Sequence, residues 1–131
     1  MLNENILKNI ENNHRSFNVL LDGNDYQFLA LRTANNDLKE HEQLINGALG
    51  LCGESGEVAD MVKKCFMQGH KLDVEHLAKE LGDCMWYIAL IADCIGYGLN
   101  GIMAMNVDKL KARYPDGFDA DKSQNRKIGD V

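Results

Sequence analysis

Two pairs of carboxylates, Glu54-x-x-Glu57 and Glu80-x-x-Asp83, have the residue types and spacing best suited to chemistry in this chain. Residues three apart on a helix project the same way, so each pair forms a two-pronged clamp. Such pairs are ordinary on solvated faces, and an ExxE alone is unspecific. Here the neighbours are apolar. At about 100° per residue, Glu54 shares its face with Leu51, Val58 and Met61, and Glu80 with Leu77, Leu81, Cys84 and Tyr87. Asp83 lies with Tyr87 and Leu90, so the acids sit on or beside the stripes with which helices meet their partners. Ionised groups gathered there without compensation are costly. A divalent cation offsets that cost, and ligation by carboxylates alone suits a hard ion, Mg²⁺ or Mn²⁺. The competing reading is a structural network with Lys63, Lys64 and Lys79. A ferritin-like di-iron centre is disfavoured, because it needs two inward ExxH motifs and this chain offers Glu11-x-x-His14 in a polar segment.

A second stripe has the opposite chemistry. Asn106, Lys109 and Arg113 are spaced i, i+3, i+7 and fall within about 60° of one another. An amide, an ammonium and a guanidinium on one stripe could hold the oxygens of a polyphosphate whose other side is bound by metal. Basic residues also favour helix C-termini for dipole reasons, so the stripe counts only in company with the acids. Lys111 falls off it. Glycines at 47, 50, 53 and 56 recur every three residues beside the first clamp. Each costs roughly 1 kcal/mol in a helix interior, so a helix or a ligand should approach closely there.

The elements that must position these groups read as helices. Asp22-Gly-Asn-Asp25 offers an N-cap to a helix from Tyr26 to about Leu38. A polar stretch from Asn35 to Gln43 precedes a longer helix, Leu44 to Gln68, stopped by Gly69. Asp73 caps a third, Val74 to about Tyr97, and Asn100 a fourth that ends before the Tyr114-Pro-Asp-Gly117 turn. Ile6 and Ile10, then Phe17 and Val19, mark a short helix and an extended connection. Nothing from Gly23 to Tyr114 alternates with the period of a strand. The expected fold is all-α, a bundle of four to five helices with short connections. The chain divides into an N-terminal extension (1–24), one domain (25–118) and a polar, flexible tail (119–131).

Composition narrows the function class. The 131 residues are 45% hydrophobic and 26% charged, which suits one globular domain. A net charge of −6 argues against a nucleic-acid binder and is compatible with an acidic site that works through a cation. No apolar run reaches the ~18–20 residues of a membrane span, and no signal peptide opens the chain, so a cytoplasmic protein is expected. Cys52, Cys65, Cys84 and Cys94 form no CxxC; Cys52, Cys84 and Cys94 read as small residues near packed helix faces.

Three segments together resemble the MazG-like nucleotide pyrophosphohydrolases: Ala48 to Asp60 with its ExxE, Lys79-Glu-Leu-Gly-Asp-Cys-Met-Trp-Tyr87 with its ExxD, and Asn106 to Phe118 with its Arg-Tyr-Pro-Asp-Gly-Phe ending. The likeness runs from about Tyr26 to Phe118. It implies a MazG-like bundle completed by oligomerisation, as a homodimer or homotetramer with sites near the subunit contacts. It also implies hydrolysis of nucleoside triphosphates to the monophosphate and pyrophosphate, as nucleotide-pool house-cleaning or trimming. On this reading Glu54, Glu57, Glu80 and Asp83 hold Mg²⁺ (Mn²⁺ substituting), and Glu54 activates the attacking water. Lys109, Asn106, Arg113 and Tyr87 contact the nucleotide. Gln27, Leu31, Arg32, Thr33 and Trp86 are candidates for the base pocket, although a tryptophan among Met85, Ile88 and Ala89 is more often core. The alternative is a non-catalytic nucleotide-binding or helical dimerisation module on the same fold.

Overall fold

The computed structural model describes residues 21–126. The expected elements around Ile6, Ile10, Phe17 and Val19, and the Glu11-x-x-His14 motif, lie outside the described residues. Among the described residues five α-helices follow one another: α1 (Gly23–Ala30), continued by a 3₁₀ turn (Leu31–Thr33), α2 (Glu40–Gln68), α3 (Val74–Cys94), α4 (Leu99–Arg113) and α5 (Ala120–Gln124). There is no strand among the described residues, and the fold is all-α as expected.

Local chemistry sets the helix ends. Asp22 caps α1 by accepting from the Asp25 N–H at 2.9 Å. That helix stops at the 3₁₀ turn rather than near Leu38. Thr33 Oγ1 donates back to the Ala30 carbonyl at 2.8 Å, and Ala34 leaves in extended conformation. Asn35 Oδ1 then accepts from the Asp37 N–H at 3.0 Å, closing a turn that competes with the helix. α2 begins four residues earlier than expected, because the Glu42 carboxylate reaches back to the Lys39 N–H at 2.7 Å. Gly69 ends α2 in the left-handed region, at φ 71°. Asp73 caps α3 through the His76 N–H at 3.0 Å. α3 ends at Cys94, a little short of Tyr97.

Asn100 does not cap α4; Gly98 holds that position. Instead Asn100 Oδ1 accepts from the Gly23 N–H at 2.9 Å, while Asn24 Oδ1 accepts from the Asn100 N–H at 3.0 Å. The first turns of α1 and α4 thus cap each other. α4 ends at the expected turn, where the Gly117 N–H reaches the Tyr114 carbonyl at 3.1 Å and Gly117 has φ 98°. Within the segment read as a tail, Asp119 caps α5 through Asp121 and Lys122.

Packing centres on an α2–α3 hairpin of antiparallel helices. Gly47 meets Ile91, Gly50 meets Tyr87, and Ser55 lies 3.8 Å from Cys84. α1 packs over α3 and α4. Ala89, Ala92 and Leu99 form a small core with Tyr26 and Ile102 against it. Cys65 is buried, whereas Cys52, expected near a packed helix face, is exposed. Met103, Met105, Val107 and Leu110 are exposed along α4, as are Ile45, Leu49 and Leu81 on the hairpin.

Candidate active site

Glu54 sits in mid-α2, and Glu80 and Asp83 lie one turn apart on α3. The antiparallel register brings these helix positions together. One carboxylate oxygen of each lies within 4.8 Å of the others. Glu80 is 14% exposed and accepts from His76 Nε2 at 2.7 Å. Partial burial, the charge of Asp83 and a hydrogen bond with Glu80 push the Glu54 carboxyl above its usual range, with smaller contributions from the charges of Glu80 and Glu57. Tyr26, whose hydroxyl lies 3.5 Å from the Gly82 carbonyl, is likewise raised, first by burial and then by the charge of Asp83.

Glu57 is exposed and is not one of this three-residue cluster. Two of the three nearby lysines serve another acid on α2: Lys63 and Lys64 both bond to Asp60 and hold its carboxyl down at about 2. Lys79 pairs with Glu75 at 3.5 Å. The lysine network that competes with a metal site is therefore built around other carboxylates. A cavity of about 430 Å³ opens beside the cluster, lined by Thr33, Glu54, Asp83, Trp86 and Tyr87.

The cavity wall is fixed by contacts that reach across the sequence. Trp86 Nε1 donates to the Ala30 carbonyl at 3.0 Å and to Thr33 Oγ1 at 2.9 Å, tying α3 to the end of α1. Its ring meets Tyr87 edge to face, with centroids 5.0 Å apart. Tyr87 fits only because residue 50 has no side chain, since a Cβ there would clash with its ring. The importance of Gly50 is visible in the sequence only as one rung of the glycine repeat. The His76–Glu80 pair is legible as an i, i+4 spacing, which the sequence reading passes over.

Other expected site residues lie elsewhere. Asn106 and Lys109 are exposed on α4, Arg113 is half-buried, and none of the three lines this cavity. Of the base-pocket candidates, Thr33 and Trp86 line it. Gln27 does not: it is buried, donating to the carbonyls of Ala89 and Tyr97 and accepting from the Leu99 N–H. It is a structural tie that holds α1 to the α3–α4 turn.

Three clustered carboxylate oxygens fit a hard divalent cation in number and donor type. The Glu54 carboxyl is raised first by burial and then by the charge of Asp83, and a bound positive charge would offset both. Residues 40–118 match the MazG nucleotide pyrophosphohydrolase domain. The chain belongs to the MazG nucleotide pyrophosphohydrolase family. It is also 33% identical over 109 residues to the Gene 37 protein of Mycobacterium phage L5, covering 77% of this chain and 96% of that protein. No solved structure matches. The MazG match spans the whole hairpin, the acidic cluster and α4. Among the described residues, no single helix of this MazG chain is long and apolar enough to cross a membrane.

Proposed function

We propose that this MazG protein hydrolyses nucleoside triphosphates to the monophosphate and pyrophosphate with the help of Mg²⁺. The observation that carries the reading is the convergence of Glu54, Glu80 and Asp83 beside an open aromatic-walled cavity in a chain of this family. Glu54, Glu80 and Asp83 would hold the ion, with Glu57 at the margin. A bound divalent cation would neutralise phosphate charge and acidify a water. Glu54, whose carboxyl is raised by burial and by its acidic neighbours, is suited to take the water's proton. The water oxygen bonds to the α-phosphorus as the bridging P–O bond breaks, and pyrophosphate leaves. Tyr87 and Trp86 offer aromatic surface to the nucleoside.

The cationic stripe enters this scheme through a second copy of the chain. Asn106, Lys109 and Arg113 lie apart from the cavity lining, and α4 and the hairpin expose apolar side chains that suit a subunit interface. A homodimer or homotetramer would bring the stripe of one chain to the acids of another, where it would stabilise phosphate charge.

The test is pyrophosphate release from a panel of canonical and modified (d)NTPs, with Mg²⁺ and with EDTA. Asp83→Asn should lower kcat by more than about 100-fold, since even outer-shell changes at metal sites cost 10–100-fold. Glu57→Gln, at the margin of the cluster, should lose less. Nucleotide binding without release from any member of the panel would instead favour a non-catalytic binding module.

A further inference from the structure

Glu80 has the carboxylates of Glu54 and Asp83 on one side and a neighbour outside that cluster, His76, on the other. His76 Nε2 lies 2.7 Å from Glu80 Oε1, within the range of a charge-assisted hydrogen bond. Across the hairpin, Glu80 also lies close to Glu54, with a carboxylate oxygen of each, and one of Asp83, within 4.8 Å of the others. The imidazole itself is well placed. Its backbone N–H is bound to the Asp73 cap at 3.0 Å, and the side chain reaches one turn along α3 to Glu80.

An exposed i, i+4 pair on a helix usually contributes little. This pair differs in its asymmetry: His76 is 57% exposed, whereas Glu80 is 14% exposed and faces two other acids. A carboxylate only accepts hydrogen bonds, so Nε2 carries the proton and one Glu80 oxygen is taken up by it. The pairing limits rotation of the carboxylate beside Glu54 and Asp83.

We propose that His76 is a positioning residue that orients Glu80 for divalent-cation binding, an inference that rests on the metal-site reading above. It acts from outside the ligand set: its proton holds Glu80, and its exposed ring does not displace Glu54 or Asp83. Outer-shell partners of this kind typically change metal affinity by 10–100-fold when removed.

The test is direct Mn²⁺ titration of the full chain without nucleotide, followed by the free-ion EPR signal, for wild type, His76→Ala and His76→Gln. Circular dichroism before titration confirms that each variant is folded. His76→Ala should weaken Mn²⁺ binding by at least about 10-fold. His76→Gln, which keeps an N–H donor at similar reach, should recover much of the loss. Wild-type affinity in His76→Ala would overturn the positioning role while leaving the metal site in place. Equal weakening in both variants would overturn it in favour of direct ligation by the imidazole. Failure of the wild-type chain to bind Mn²⁺ would overturn the metal-site reading, and this inference with it.

Discussion

The four glycines of α2 divide into two pairs that do different work. Gly47 and Gly50 face α3 at close range: a Cβ at 47 would lie 2.8 Å from Ile91 Cγ1, and one at 50 would clash with the Tyr87 ring. Gly53 and Gly56 have nothing within 4 Å of where a Cβ would stand. The cause is helical geometry. Three residues advance about 300°, so each glycine lags the previous one by about 60° and the repeat rotates off the packed face. The inner pair lets α2 and α3 approach, which places Glu54 opposite Glu80 and Asp83. The outer pair leaves an open stripe beside the same site. Identical residues at identical spacing therefore carry no single meaning until the partner helix is known.

Gly50→Ala should have the largest effect on that contrast. Tyr87 must leave its seat, with a stability loss of about 1–3 kcal/mol by urea unfolding and a fall in turnover, because Tyr87 lines the cavity. An unchanged unfolding midpoint would show that the inner pair is not needed for packing.

The double change Gly53→Ala with Gly56→Ala tests the outer pair. Alanine in an open helix interior should stabilise by up to about 1 kcal/mol per site. If the variant is instead destabilised and elutes as a smaller species than wild type, a second copy covers that stripe, and all four glycines serve close packing.

The smallest effect concerns the acid that the inner pair brings into place. Glu54 is raised in the folded chain, first by burial, so the folded state holds this proton more tightly than the unfolded state does. Stability from this group is therefore present at low pH and lost as pH rises through the unfolded and then the folded pKa. In EDTA at neutral pH, Glu54→Gln should raise the melting temperature slightly. The advantage should fade as pH falls into the range where wild-type Glu54 takes up its proton. A lower melting temperature for the variant across that range would mean that the folded state does not disfavour the Glu54 charge.

Much of the hairpin was legible because its boundaries are set by neighbours in sequence. Gly69 and Asp73 mark the turn between α2 and α3 by backbone freedom and a side-chain cap, both readable within a few residues. The end of α1 was not legible, because Thr33 and Asn35 bond locally to the backbone and outweigh the apolar periodicity that runs on to Leu38. Asn100 has the right chemistry for a cap, but the donor it satisfies is the Gly23 N–H, 77 residues away in sequence. Gln27 was a candidate for the base pocket because a polar residue on a core-facing helix has two uses. Only the carbonyls of Ala89 and Tyr97 and the Leu99 N–H decide between them.

By itself the sequence determined that the chain is helical, where its long hairpin turns, which acids are paired, and which family it joins. These depend on periodicity, caps and spacing, all short-range properties of the chain. The tertiary structure decided which acids meet. Glu54, Glu80 and Asp83 converge while Glu57 is exposed and outside their cluster, although both motifs present their two acids alike in sequence. It also decided that Asn106, Lys109 and Arg113 lie outside the lining of the cavity. The physical reason is that helix register and rotation are set by contacts such as Gly50 with Tyr87. A displacement of one residue there would turn a clustered acid into a surface side chain while leaving the local pattern unchanged.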